Sequence, residues 1–183
     1  MCGIVGLMIR NPALRDRLGE WALPMLVGMT ERGPDSAGIA VFTEPLAGGR
    51  RKLSLHAPDG FDWAALGREL GDGTTLVVRA NHAIATVAGD PAALRARLKA
   101  AHPTLHVLSA GRAIDLYKDV GTPAEVAERY GLAGFAGTHL VAHTRMATES
   151  AVTPENAHPY TAGEDWCLVH NGSFANHATI RRD

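Results

Sequence analysis

A cysteine stands second in this chain, directly behind the initiating methionine. A small second residue generally permits removal of Met1, which leaves Cys2 with both a thiol and a free α-amine. With reference pKa values of about 7.7 to 8 for the amine and about 8.5 for the thiol, the amine can accept the thiol proton near neutral pH, directly or through a water. One residue then holds nucleophile and base, and no histidine is required. Far along the chain, Asn171-Gly172 supplies a tight turn, which on its own reads as a plain hairpin. His139 and His143 stand four apart and on a strand would share a face, yet no acidic or third ligand sits at metal-site spacing, so no metal is expected. His158, His170 and His177 are expected as hydrogen-bonding residues of loops or core, and Cys167 as a buried small hydrophobe.

The elements that must position these residues alternate along the chain. Ile4–Ile9 is an apolar run punctuated by Gly3 and Gly6, expected as a buried strand. From Leu14 to Met29 apolar residues recur at helical steps, with Pro24 expected to kink or interrupt the helix. A loop at Glu31–Ser36 leads to a strand over Ala37–Phe42. Between about 44 and 137 the pattern predicts an inserted α/β module without catalytic spacing, a packing or docking element. Its strands are expected at Leu76–Arg79, Ile84–Val87, His106–Leu108 and Ala113–Leu116. Its helices begin at Asp90-Pro91, running to about Ala101, and at the capping box of Thr122, Pro123 and Glu125, stopping at Gly131. Strands follow at Thr138–His143 and Trp166–His170, and Asn176 is placed to cap a helix from His177.

The bulk composition narrows the classes of function. The chain has 183 residues, 46% of them apolar and 20% charged, which suits one compact domain rather than two independent cores. A net charge of -1 offers no basic face to nucleic acid. Apolar stretches are broken well before a bilayer could be spanned, and no basic-then-apolar leader opens the chain, so a cytoplasmic location is expected. The two cysteines are expected to be free thiols.

Five motifs occur in order: Cys2-Gly3-Ile4-Val5-Gly6, Arg32-Gly33-Pro34-Asp35-Ser36-Ala37-Gly38, His143-Thr144-Arg145-Met146-Ala147-Thr148, Asn156-Ala157-His158-Pro159 and His170-Asn171-Gly172. In these the chain resembles the class II glutamine amidotransferases. With its long insert and Met146–Ser150 it looks most like the free-standing amidotransferase subunit of glutamate-synthase-like enzymes such as N-methylglutamate synthase.

The resemblance implies an α+β fold, the four-layer α-β-β-α sandwich of the N-terminal-nucleophile hydrolases. It implies hydrolysis of the glutamine side-chain amide through a thioester on Cys2. The Asn171 amide and the Gly172 N–H would form the oxyanion hole, where loss of one donor typically costs roughly 2.7 to 4 kcal/mol. Arg145 would fork onto the α-carboxylate of glutamine, and Thr148 would support the same ligand. The Gly33 carbonyl would hold the cysteine amine, Arg32 would brace its loop, and His143 would support the site. At Glu149 the chain departs from many relatives, which carry histidine there. Ammonia would pass to a synthase partner, a flavin-dependent glutamate-synthase-like subunit, and no cofactor would bind this chain. Relatives continue past their His-Asn-Gly turn and supply an aspartate for the glutamine α-amino group. The expectation is therefore a sandwich incomplete at its C-terminus, with unpaired sheet edges and weak glutaminase activity by itself. A catalytically inactive glutamine-sensing or assembly module of the same fold is the alternative.

Overall fold

The structure is a computed structural model that describes residues 2–147 and 151–172. Its order is β1 (Gly3–Met8), a 3-10 turn over Pro12–Arg17, α1 (Leu18–Val27), β2 (Ser36–Phe42), β3 (Arg51–His56) and α2 (Trp63–Leu70). Next come β4 (Thr75–Arg79), β5 (His82–Val87), α3 (Pro91–Ala101), β6 (His106–Gly111) and β7 (Ile114–Val120). The described chain ends with α4 (Pro123–Tyr130), β8 (His139–Arg145), β9 (Tyr160–Thr161) and β10 (Cys167–Leu168). The fold is mixed α and β with antiparallel sheets: one of order β1-β8-β2-β7, a second of order β4-β5-β3-β6, and the small β9–β10 pair.

Each large sheet buries a face under helices. Val5, Ile39, Leu140 and Ala142 of the first sheet pack with Leu18, Ala22 and Leu26 of α1 and with Val126 and Tyr130 of α4. Leu53, Leu55, Ala83 and Ala85 of the second pack with Leu66 of α2 and Leu98 of α3. The helix starts are as the sequence predicts: Asp90 accepts from the N–H groups of Ala92 and Ala93, and Thr122 with Glu125 completes a capping box.

Several expectations are corrected. Helix α1 runs through Pro24 to Val27 without interruption. Pro24 and Glu20, one turn apart, are both exposed, so the Glu20 carbonyl that loses its partner faces water. The first strand is not buried throughout: Gly3 and Val5 face α1, while Ile4, Gly6 and Met8 are exposed, because β1 is an edge strand with one covered face. The strand expected over Trp166–His170 is reduced to Cys167–Leu168. Cys167 is half-buried and packs against a small cluster of Ala40, Phe42, Ile114 and Leu116. Strand β3 and helix α2 are elements that the sequence reading does not anticipate. The helix expected from His177 lies outside the described residues.

The span 44–137 contributes β3 to β6 to the second sheet, and β7 with α4 to the first. As the outer strand of its sheet, β7 has a row of N–H groups pointing away from β2. Side chains take them in turn: Asp165 accepts from Ile114 at 3.0 Å, Ser54 from Leu116 at 2.8 Å and His82 from Lys118 at 3.4 Å. An edge that would otherwise invite another strand is closed by the second sheet and the 165 turn. Because His82 Nε2 accepts here, its Nδ1 carries the proton and donates to Asn81 Oδ1 at 2.9 Å. The neutral ring agrees with burial, which pulls His82 down to about 3.

Candidate functional site

The site gathers at the end of the first sheet where β1 begins and β8 ends. In the antiparallel register Gly3 lies opposite Thr144 and Arg145 opposite Ser36, so Cys2 leads into β1 beside the Arg145 end of β8. The Gly3 N–H donates to Thr144 Oγ1 at 3.2 Å, and that hydroxyl donates to the Met29 carbonyl at 3.3 Å. A Cβ on Gly3 would lie 2.7 Å from Thr144 Oγ1 and 2.8 Å from Met29 Cβ, so only glycine leaves room for this approach.

The second motif locks onto the third. A Cβ on buried Gly33 would overlap the backbone of Thr144 and Arg145. The Asp35 N–H donates to the Arg145 carbonyl at 3.0 Å, and Asp35 Oδ2 accepts from the Ala147 N–H at 2.7 Å. Arg32 is exposed at the end of the 3-10 turn Thr30–Arg32. Arg145 is only 8% exposed, and its Nη1 donates to the Ala151 carbonyl at 3.1 Å. Thr148 and Glu149 lie outside the described residues.

The last motif closes on the first. Asn171 Nδ2 donates to the Cys2 carbonyl at 2.9 Å across 169 residues of chain. Gly172, with φ of 157°, has a backbone that side-chain-bearing residues rarely adopt. His143 Nε2 bonds the His170 carbonyl at 3.1 Å, which fixes its tautomer as the Nε2–H form. Its ring lies 4.3 Å from that of His158. Burial lowers His143, and burial with the neighbouring His143 brings His158 to about 4, so both are neutral at pH 7 and orient the turn without adding charge. His139, four residues from His143, stacks instead on Phe42 at 4.2 Å. Among the described residues no group of three His, Cys, Asp or Glu side chains is arranged to hold a metal.

The sequence reading assigns no role to three residues that the structure ties into this region. Thr144 and Asp35 lie inside quoted motifs, and a short polar residue in an otherwise apolar strand or after Gly-Pro was the available signal. Lys118, buried on β7 and bonded to the carbonyls of the 151–160 loop, carries no motif at all. A cleft of about 470 Å³ between α2 and α3, lined by Leu70, Thr74, Leu94 and Arg97 among others, lies on the far sheet and holds none of the motif residues.

Comparison with known proteins bears on this arrangement. Residues 109–182 match the model of the glutamine amidotransferases class-II family. The chain is 41% identical over 187 residues to the glutamine amidotransferase-like protein GlxB of Rhizobium meliloti, covering 100% of this chain and 62% of that one. The chain is a relative of the class II glutamine amidotransferases.

A Methanothermobacter thermautotrophicus protein bearing a glutamine amidotransferase name is 29% identical over 197 residues, 99% of this chain and 64% of its own length. A glutamine–fructose-6-phosphate aminotransferase of Francisella tularensis is 40% identical over 70 residues, 38% of this chain and 11% of that enzyme. The chain thus spans under two thirds of the length of the curated relatives that it matches along its whole length. Among the described residues, no helix is long and apolar enough to cross a membrane.

Proposed function

We propose that this chain is the glutaminase part of a glutamine amidotransferase, with Cys2, freed of Met1, as nucleophile. The observation that carries the reading is the Asn171 amide bonded to the Cys2 carbonyl at 2.9 Å, which brings the first and last motifs together. The thiol passes its proton to the α-amine, and the sulfur attacks the side-chain carbonyl carbon of glutamine. Asn171 Nδ2 and the Gly172 N–H receive the oxyanion as it forms. The amine returns the proton to the departing nitrogen, ammonia leaves, and water hydrolyses the thioester to glutamate and the free thiol.

Arg145 supplies the fork for the α-carboxylate, with Thr148 supporting the same ligand. The Gly33 carbonyl holds the Cys2 amine, Arg32 braces that loop, and His143 holds the His170–Gly172 turn. On this reading the two helix-covered sheets are the layers of an N-terminal-nucleophile α-β-β-α sandwich, and the 44–137 span carries the inserted module. Ammonia goes to a synthase partner of the flavin-dependent, glutamate-synthase-like kind, in the cytoplasm.

The test is intact mass after incubation with 6-diazo-5-oxonorleucine, a glutamine-analogue electrophile. A single adduct on protein lacking Met1, absent in Cys2→Ala, is the expected result. Folded wild-type protein that takes no adduct overturns the catalytic reading.

A further inference from the structure

The 151–160 loop, which carries the Asn156-Ala157-His158-Pro159 motif, is held down by a cation that no motif marks. Lys118 on β7 is 4% exposed. Its Nζ donates to the carbonyls of Ala157 at 2.9 Å, Glu155 at 3.2 Å and Pro159 at 3.4 Å. An ammonium has three donors, and here are three acceptors. Among the described residues no carboxylate pairs with Lys118; the Glu155 carboxylate turns to His56 and His106, at 3.7 and 3.6 Å. A buried cation without a paired carboxylate is costly to keep, and burial, offset only in part by the nearby Glu155 charge, draws Lys118 down to about 8. Space alone would be filled as well by methionine at no such cost.

The loop that Lys118 gathers also reaches Arg145. Gly38 on β2 leaves room for it: a Cβ there would overlap the His158 carbonyl and lie 2.8 Å from Lys118 Cβ. At the other end of the loop, the Ala151 carbonyl accepts from Arg145 Nη1 at 3.1 Å and from Asn156 Nδ2 at 3.3 Å. Hydrogen bonds therefore lead from Lys118 to the loop, and from the loop to the guanidinium at the end of β8.

We propose that Lys118 is a positioning residue for glutamine, clasping the 151–160 loop to the first sheet so that Ala151 sets the Arg145 fork. The proposal rests on the reading of Arg145 as the carboxylate clamp. Lys118 touches no substrate, so its loss weakens ligand binding and leaves the chemistry at Cys2 unchanged.

The experiment uses the full chain as wild type, Lys118→Met and Lys118→Arg. It measures amide protection of 151–160 by hydrogen exchange and the concentration dependence of Cys2 labelling by 6-diazo-5-oxonorleucine. Lys118→Met is expected to lower loop protection about tenfold or more, with protection in β3 and β5 unchanged. It should raise the half-saturating analogue concentration about tenfold while the limiting rate stays within about twofold, and Lys118→Arg should recover most of both. Unchanged loop protection in folded Lys118→Met overturns the proposal, as does a fall in limiting rate alone or an arginine variant no better than methionine.

Should the methionine variant not fold, wild-type loop protection as pH rises through about 8 decides the matter, and a flat profile there overturns the clasp. Lys118 and the loop also face the Tyr160 ring, 5.1 Å from Nζ, and His106 on Glu155. Of the other groups there, His56, His82, His143 and His158 are held below their ordinary value, Asp119 and Glu155 are lowered, and Tyr117 and Tyr130 are raised. None of these shifted groups titrates in that window. Wild-type protein that takes no label sinks the glutamine reading, whereas the loop measurements still decide whether Lys118 is a clasp.

Discussion

The two large sheets use glycine differently. In the sheet that carries the motifs, Gly3, Gly33 and Gly38 stand where a Cβ would strike the backbone or a side-chain root of a neighbouring segment. Around the second sheet, every glycine from Gly48 to Gly89 faces open space. One region is built by backbones pressed together, so that a chain terminus, two loops and a strand end meet. The other is a sheet under helices whose turn glycines have free space, with Gly111 on β6, where a Cβ would strike Asp165, as the exception. Close approach is thus concentrated in the first sheet and the segments packed on it, where Gly19 and Gly137 share it with the site glycines.

Gly38→Ala and Gly67→Ala separate the two uses most sharply. Gly38→Ala must displace the His158 carbonyl and the Lys118 stem, and should cost about 3 kcal/mol or prevent folding, read as the urea midpoint. A loss under about 1 kcal/mol would break the comparison.

Acid should act next, at the seam between the sheets. His82 falls from 6.5 to about 3 in the folded chain, so between those values the unfolded chain binds the extra proton and stability drops as pH falls. At pH 5 the cost from this residue is about 2 kcal/mol, from roughly 1.4 kcal/mol per pH unit below 6.5. His56, His143 and His158 are lowered too and add in the same direction. A urea midpoint equal at pH 7 and pH 5 would contradict the buried neutral rings.

The smallest effect has the opposite sign. Gly67 sits inside α2 with nothing near its missing Cβ, so Gly67→Ala should stabilise the chain by about 0.5 to 1 kcal/mol through backbone entropy and helix propensity. Thermal unfolding would show it as a small rise in midpoint.

Legibility divides instead between what is local in the chain and what is not. Helices α3 and α4 were readable to their caps, since Asp90-Pro91 and Thr122-Pro123-x-Glu125 act within one turn of chain. Strand β3 was not, because Lys52, Ser54 and His56 alternate as a solvent face would, yet all three are buried. Ser54 is spent on β7 and Ser109, and Lys52 on Thr43 and Asp115 at 2.9 and 3.1 Å. A polar residue that finds its partner on another sheet has no local signature. Pro24 misled for a related reason: whether its lost hydrogen bond matters depends on which face of α1 meets water.

By itself the sequence determined what is local in the chain: the caps, the turns, the apolar stripe of α1, and the ordered motifs that name Cys2, Arg145 and Asn171 as chemical candidates. Only the tertiary structure decided that Cys2 and Asn171 touch, that β7 closes the first sheet against the second, and that Lys118 lies under the 151–160 loop. Those contacts join residues tens to well over a hundred positions apart. Their free energy comes from burial and from donors with no other acceptor, terms that exist only once the sheets have assembled.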